Sequence, residues 1–421
     1  MPETSVPEKK ESAPALGAPG ARPVSSRAAM LALILQYALQ LASHYASWLF
    51  ALLAACGLGY LGLSLWSELR WLAAPRPAPA DFTPPISILK PLRGTDRQMY
   101  EGFRSHCLQD YPDFEILFGV SRADDEAIAQ VERLQREFPT RRIRLLLCTA
   151  ELGSNRKVST LAQMLPHAEH DFILINDSDI RVAPDYLRRV VAPLGDPQVG
   201  LVTTLYRANS GGSLASRVEA ITIATDFAGG VLCARQMEGG LHFGLGSTLA
   251  FPRVACQSIG GLEALLDHLA DDHELGKMIA AKGYRCILSD VVVETFLPGY
   301  GWPSMFQHQL RWARTVRDLR KWGYLGVGAT FGLPWALLAA ICAAGSTWSL
   351  ILLGIVAAAR FASAALLAGP ILHDRHALAD LWLVPLRDII GLAIWFASFA
   401  GDTILWRGER FHLKNGRLTK A

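Results

Sequence analysis

Residues 28–67 run for 40 positions without an Asp, Glu, Lys or Arg, and residues 322–359 run for another 38. About 20 apolar residues in helical form cross a bilayer, with every backbone amide satisfied inside the segment. A chain carrying two such stretches is a membrane protein, and any soluble fold it has is confined to the residues between them. The hydrophobic share of 51% against 19% charged residues agrees. The first stretch is too long for a signal peptide and lacks a cleavage site, so it is expected to be retained.

The division of the chain follows from where charge and periodicity change. Residues 1–27 are rich in Pro, Ala, Ser, Glu and Lys without periodicity and are expected to be disordered. The N-terminal membrane segment covers 28–70, with a span at about 44–66. The part before it, 29–41, reads either as an interfacial helix or as a second short span. Pro75, Pro77, Pro79, Pro84 and Pro85 form a stiff linker. From 81 to 321 the composition is that of a soluble domain. The C-terminal membrane helices, 322–410, are placed near 330–345, 348–367 and 385–406, giving three to five spans in all, and 411–421 is a tail. Arg387, Asp388 and Asp402 fall inside or at the edge of the last span. Charges at that depth face protein or a water-filled cavity, unless the span is shallow or re-entrant.

Within 81–321, short apolar runs alternate with amphipathic ones. Strands are expected at 86–89, 114–120, 143–147 and 172–176, and helices at 99–109, 127–137, 157–165 and 185–192. That rhythm predicts βαβ units, hence an α/β fold with a mostly parallel sheet. No Gly-x-Gly-x-x-Gly or P-loop follows the first strand, which ends Lys90-Pro91-Leu92-Arg93-Gly94. A nicotinamide or ATP site therefore loses most of its support. The run Phe172–Asn176 leads directly into Asp177-Ser178-Asp179. Open α/β sheets bind ligands beyond the carboxyl ends of their strands, and two carboxylates there suit a divalent cation that in turn holds a diphosphate.

Further charged clusters accompany this turn: Asp124-Asp125, Asn155-Arg156-Lys157, Asp271-Asp272-His273-Glu274 and His308-Gln309-Leu310-Arg311-Trp312. Each has a plainer reading. Asp124-Asp125 could cap a helix, Arg156-Lys157 could be a solvated face, Asp271-Asp272 could favour a helix dipole, and Arg311 and Arg314 could anchor at an interface. Seven scattered cysteines without a Cys-x-x-Cys pair offer no zinc site and fit a reducing compartment. A net charge of +3 with no basic run interleaved with aromatics gives no support for nucleic acid.

In this order the clusters resemble the membrane-bound GT-A glycosyltransferases of the ceramide glucosyltransferase type. The likeness is greatest to bacterial members, among them the hopanoid-associated glycosyltransferases. The resemblance covers about 86–287 and 305–315. It is carried by Ile88–Gly94, Gln109-Asp110-Tyr111-Pro112, Gly153–Lys157, Asp177–Val182, Asp271-Asp272 and Arg311-Trp312, with a weaker echo at Trp406–Phe411. It implies a GT-A-type nucleotide-sugar-binding domain flanked by transmembrane helices. By position, Asp125 or Asp124 would contact the uracil or ribose of a UDP-sugar, and Asp177 with Asp179 would ligate Mg2+ or Mn2+. Asp272 would be the general base, and Lys90, Arg93, Lys157, Asp177, His308, Arg311 and Trp312 would serve the donor. His308 departs from the family's Gln/Arg at that position, and animal members read Asp-Ser-Gly where this chain has Asp177-Ser178-Asp179.

The implied reaction is an inverting transfer from a UDP-sugar, best UDP-glucose, to a lipid hydroxyl, best ceramide. An alternative moves N-acetylglucosamine to a hopanoid or diacylglycerol. A processive polysaccharide synthase would want more spans, and a scaffold would not need Asp125, Asp177, Asp179 and Asp272 together. The acceptor pocket is expected in 203–245, from Tyr206, Thr225, Asp226, Phe227, Arg235, His242 and Phe243. UDP-sugars are cytosolic, so the catalytic domain is expected on the cytoplasmic side of a bacterial inner membrane. The decisive geometric requirement is convergence: Asp272 must lie on the same side of the sheet as Asp177.

Overall fold

The computed structural model describes residues 26–75, 81–406 and 409–420. Up to residue 25 the tail expected to be disordered lies outside the described residues, as do Pro77 and Pro79 of the linker. The first apolar stretch is one unbroken helix, α1 (Ser26–Ala73), of 48 residues. At 1.5 Å per residue it is about 70 Å long, over twice the hydrocarbon thickness. Both readings of 29–41 as a separate element are therefore replaced by a single continuous helix.

The soluble domain begins with β1 (Ile86–Leu92), α2 (Met99–Cys107), β2 (Phe114–Val120), α3 (Ala127–Glu137), β3 (Arg142–Leu147), α4 (Arg156–Met164), β4 (Phe172–Ile175) and α5 (Tyr186–Val191). Each arises from its local pattern. All seven residues of β2 are buried, as a strand covered on both faces requires. Ala127, Val131 and Leu134 of α3 are buried at helical spacing. After β5 (Val199–Ser210) come α6 (Leu214–Ile221), a π-helical segment at Thr222–Phe227, α7 (Ala228–Met237), β6 (Leu249–Pro252), α8 (Arg253–Ser258), α9 (Asp271–Ala281), β7 (Arg285–Leu297) and α10 (Trp302–Leu319).

The seven strands form one sheet in the order β3-β2-β1-β4-β6-β5-β7. All pair in parallel except β6, which is antiparallel to both of its neighbours. The fold is thus α/β with a mostly parallel sheet. Because β6 runs against β4, its leading loop meets the carboxyl ends of β1, β2 and β4. That one reversal brings residues 244–248 to the Asp177 turn.

The chain then returns to apolar helices: α11 (Lys321–Thr330), α12 (Gly332–Cys342), α13 (Thr347–Leu366), α14 (Arg375–Ala379) and α15 (Val384–Ser398). Among the described residues, three helical stretches are long and apolar enough to cross a membrane: Ala29–Ala73, Thr347–Ile371 and Leu381–Ser398. The α11–α12 pair, bent by 51°, makes a fourth if it is one span. A single apolar core joins sheet residues such as Leu89 and Ile173 to Leu367, Ala368 and Val384 of the membrane-side helices. The site is therefore fixed rigidly against those helices.

The last expected span ends early. Its helix stops at Ser398, and β8 (Thr403–Trp406) pairs with β9 (Glu409–Lys414), which pairs in turn with β10 (Arg417–Lys420), in a second sheet. Four apolar or β-branched residues, Thr403–Trp406, satisfy hydropathy as a helix end or as a strand; pairing with Glu409–His412 selects the strand. Residues 411–420, expected as a tail, belong to the same sheet. It docks through backbone bonds from Leu418 to Asp267 (2.8 Å) and from Leu269 to Gly416 (3.0 Å). Arg314, for which an interfacial anchor is one plain reading, donates to the carbonyls of Ala400 (2.9 Å) and Thr403, beyond the end of α15.

Candidate active site

β4 delivers Asp177 and Asp179 to the carboxyl edge of the sheet, and three cations or donors hold them there. Asn155 caps α4 by accepting from the Val158 amide at 3.2 Å, which aims the first turn of that helix at the turn after β4. Lys157 then places its Nζ 2.8 Å from Asp177 Oδ1 and 3.2 Å from Asp271 Oδ2. Burial opposes that charge, but Asp177, Asp271 and Asp272 outweigh it and hold the ammonium well above its usual range. Lys90 approaches from beneath. It is fully buried, donates to the Asp177 carbonyl at 3.1 Å, and is pushed down to about 7 by burial, with Asp179 and Asp177 working against the shift. Asp179 accepts from the Thr295 hydroxyl on β7. Burial and then the Asp177 charge raise the Asp179 carboxyl above the ordinary range.

Asp272, in the first turn of α9, lies on the same side of the sheet as Asp177. Gly246, in the loop leading to β6, fixes their relation. A Cβ at Gly246 would sit 3.1 Å from Asp272 Oδ2 and 3.2 Å from Asp177 Oδ2, so the two carboxylates flank one glycine. The Gly246 amide donates to Asp272 Oδ2 at 2.7 Å, and the His273 amide to Oδ1 at 2.8 Å. Burial and the neighbouring Asp271 raise the Asp272 carboxyl, with Lys157 opposing. Tyr206 faces this group: burial, then the charges of Asp272, Asp177 and Asp179, keep its phenol protonated. Asp271 shares Lys157 with Asp177 and accepts from Asn155 Nδ2 (3.3 Å).

The other sequence candidates divide. Asp125 accepts from the Gly94 amide, at 3.0 and 3.2 Å, and from the Ala127 amide at 2.9 Å. It ties the end of β1 to the start of α3, so it lies at the sheet edge and also serves as a helix-start acceptor. Asp124 does not join it; exposed, it pairs with Arg122. Arg93 is exposed and lines a narrow cleft with Ser154, Arg156, Lys157, Trp406 and Glu409. On α10, His308 bonds through Nδ1 to Glu219 Oε1 at 2.5 Å and lies 4.8 Å from the Trp312 ring. Arg311, one turn on, shares that helix face and is partly buried.

Sequence reasoning missed Glu219, Thr295 and Gly246. Glu219 is fully buried and also accepts from the Tyr300 hydroxyl, so it fixes α10 against α6. Of the three, the Gly244-Leu245-Gly246 spacing before an apolar strand carried a readable signal, of close backbone approach.

Beside these residues lies a cavity of about 430 Å³, bounded by α1, α7, α10, α13 and α15. Thr225, Asp226, Phe227 and Phe243, expected in the acceptor pocket, line it. Arg235, which packs over Trp71, and His242, which pairs with Glu238, do not figure in its wall. The charges inside the last span have partners. Arg387 and Asp388 are buried and form a cluster with Arg360 and Asp226, so they face protein and cavity. Asp402 lies beyond the helix, exposed beside His412.

Among the described residues, no three His, Cys, Asp or Glu side chains are grouped to hold a metal alone. Asp177 and Asp179 supply two carboxylates whose mutual repulsion is felt at Asp179. Mg2+ at nucleotide sites is held by one or two carboxylates plus substrate phosphates, and these residues fit that sharing arrangement.

The chain is 26% identical over 212 residues to ceramide glucosyltransferase 1 of Caenorhabditis elegans, covering 50% of this chain and 45% of that one. It is 26% identical over 266 residues to an N-acetylglucosaminyltransferase of Rhizobium meliloti, covering 58% and 57%. It thus spans about half the length of these curated relatives. Among solved structures it is similar to a mannosyltransferase of Pyrobaculum calidifontis in complex with GDP-mannose and Mn2+. That likeness has TM-score 0.49 and 22% identity, covering 83% of this chain and 98% of the other. With an α/β sheet whose edge gathers Asp177, Asp179, Lys157 and Asp272, and with residues 49–419 matching its sequence profile, the chain belongs to glycosyl transferase family 21.

Proposed function

We propose that the protein transfers a hexosyl group from a UDP-sugar, best UDP-glucose, to the hydroxyl of a membrane lipid, best ceramide, with inversion. The observation that carries this reading is the convergence of the Asp272 and Asp177 carboxylates on Gly246. A base beside a diphosphate-binding turn is what one-step glycosyl transfer requires. Asp272 takes the proton of the acceptor hydroxyl as that oxygen attacks the anomeric carbon. The bond from that carbon to the diphosphate breaks with its electrons, and UDP leaves from the opposite face. One displacement with one base inverts the centre, so an α-linked donor gives a β-glycoside.

Asp177 and Asp179 would hold Mg2+ or Mn2+, which supplies charge neutralisation on the diphosphate when bound. Lys157 adds a fixed positive charge at the same edge, and Arg311 on α10 adds another for the leaving group. Arg93 and Asp125 flank the nucleoside end, and Trp312, packed against His308, which Glu219 holds, bounds the sugar. Lys90 supports the Asp177 turn from below. The helices flanking the domain would bring a lipid to this edge, and because UDP-sugars are cytosolic, this reading puts the domain on the cytoplasmic side.

The similarity to an N-acetylglucosaminyltransferase over more than half of both chains favours a second reading, transfer of N-acetylglucosamine to a hopanoid or diacylglycerol. One assay separates the two. Detergent-purified protein with Mn2+ is given UDP-glucose, UDP-galactose or UDP-N-acetylglucosamine with ceramide, diacylglycerol or a hopanoid polyol. Glucosylceramide as the product supports the first reading. N-acetylglucosamine transfer to a hopanoid or diacylglycerol alone replaces it with the second. No product in any combination refutes both.

A further inference from the structure

The cavity beside Asp272 contains more charge than an apolar pocket between membrane helices needs. Tyr60, Leu61 and Ser64 of α1 and Ser363 of α13 form its membrane wall, and Phe243 and His273 its inner end. His273 stacks on Phe243 at 5.6 Å and directly follows Asp272 in the chain, so the inner end adjoins the reaction edge. At the wall, Arg360 Nη2 lies 2.8 Å from Asp388 Oδ1 and 3.0 Å from Asp226 Oδ2, and Arg387 Nη1 lies 2.5 Å from Asp226 Oδ1. Two positive and two negative groups cancel. Three of the four side chains are nearly buried, at 4–9% exposure, whereas Asp226 is 31% exposed and lines the cavity. It does so from the π-helical turn Thr222–Phe227, a distortion frequent at functional sites.

We propose that this cavity seats the acceptor and that Asp226 reads its headgroup, selecting a lipid whose headgroup is uncharged and offers hydroxyl or amide hydrogens. The proposal rests on the lipid-acceptor reading above. Each Asp226 oxygen already takes an Arg donor, and Oδ2 also takes the Thr225 hydroxyl at 2.7 Å; a carboxylate has about four acceptor sites, so capacity for ligand donors remains. A phosphate headgroup would bring a second negative charge beside Asp226 in a poorly solvated space, where the one further arginine of the described wall, Arg320, is already paired with Glu238 at 2.6 Å. A free amine would meet two guanidinium groups. An O–H or N–H donor meets neither penalty.

Gly230 of α7 provides a steric test. It lines the cavity, and a Cβ built on it meets no atom within 4 Å, so a larger side chain grows into the cavity and not into the core. Full-length protein in detergent is given dioleoylglycerol, ceramide, a hopanoid polyol or dioleoylphosphatidylglycerol, with UDP-glucose or UDP-N-acetylglucosamine, and lipid-dependent UDP release is read. Gly230→Leu is expected to lose at least tenfold in transfer, while calorimetric binding of UDP with Mn2+ stays within twofold. Asp226→Asn is expected to raise the acceptor KM about tenfold with the same UDP affinity. Phosphatidylglycerol, which has hydroxyls but also a charge, is expected neither to accept nor to compete. Wild-type transfer by Gly230→Leu, or equal competition by phosphatidylglycerol, overturns the inference and leaves the lipid-acceptor reading standing. No transfer to any lipid by the unaltered protein overturns both.

Discussion

Replacing Asp272, the proposed base, by Asn should separate catalysis from binding, because the residue meets the site through two backbone amides. Oδ2 accepts from Gly246 at 2.7 Å and Oδ1 from His273 at 2.8 Å. An asparagine keeps the shape but must turn its NH2 group toward one of these amides. One hydrogen bond is lost, a cost of about 1–3 kcal/mol in stability. The chemical loss is larger. Removing a positioned base costs about 10²–10⁴ in rate, or about 3–5 kcal/mol in the barrier. The assay is UDP release under saturating lipid, alongside calorimetric binding of UDP with Mn2+. The expected result is a kcat reduced by at least a hundredfold with UDP affinity within threefold.

The pH profile gives the same variant a second readout. Burial and Asp271 raise the Asp272 carboxyl, so the base form is lost as pH falls through a value above the ordinary carboxylate range. Wild-type kcat/KM should therefore rise with pH through that value and then level off. Residual Asp272→Asn activity should lack this acidic limb. More than a tenth of wild-type activity with the limb intact would refute the assignment of the base. Equal loss of UDP binding and turnover would make Asp272 a structural residue.

Lys157→Met keeps side-chain length but leaves Asp271, only 8% exposed, without its ammonium partner. Urea unfolding in detergent should show a loss of about 3–5 kcal/mol, and an unchanged midpoint would refute the pairing argument. Gly246→Ala puts a methyl 3.1 and 3.2 Å from two carboxylate oxygens. Turnover should fall at least about tenfold by displacing them, with the melting temperature nearly unchanged; wild-type turnover would show that their closeness is not required. Chelation should abolish calorimetric UDP binding and Mn2+ should restore it. Asp179→Asn should weaken Mn2+ binding by at least about tenfold, and metal-independent UDP binding would remove the cation from the site.

Much of this architecture is legible along the chain, because it follows from neighbours in sequence. The apolar run of β2 and the helical spacing of Ala127, Val131 and Leu134 specify their elements locally, and both fall where the pattern predicts. The first uncharged stretch requires a membrane-length helix whatever it later packs against, whereas the second is divided among α11, α12 and α13, a break that hydropathy does not record. The Asp177 turn by itself also reads as a solvated acidic turn, and it becomes a site candidate only in company with the other charged clusters along the chain.

What neighbours in sequence do not encode is which distant surfaces meet. Asp272 reaches Asp177 because β6 runs antiparallel and lays Gly246 between α9 and β4, a reversal no local spacing records. Residues 403–406 satisfy hydropathy as a helix end, and only their pairing with 409–412 makes them a strand. Arg387 and Asp388 look costly within an apolar helix until Arg360 and Asp226 arrive from two other elements to balance them. Periodicity depends on residues a turn or a pleat apart, so the chain alone determines it. Charge balance and catalytic convergence depend on contacts across scores of residues, so the packed fold determines those.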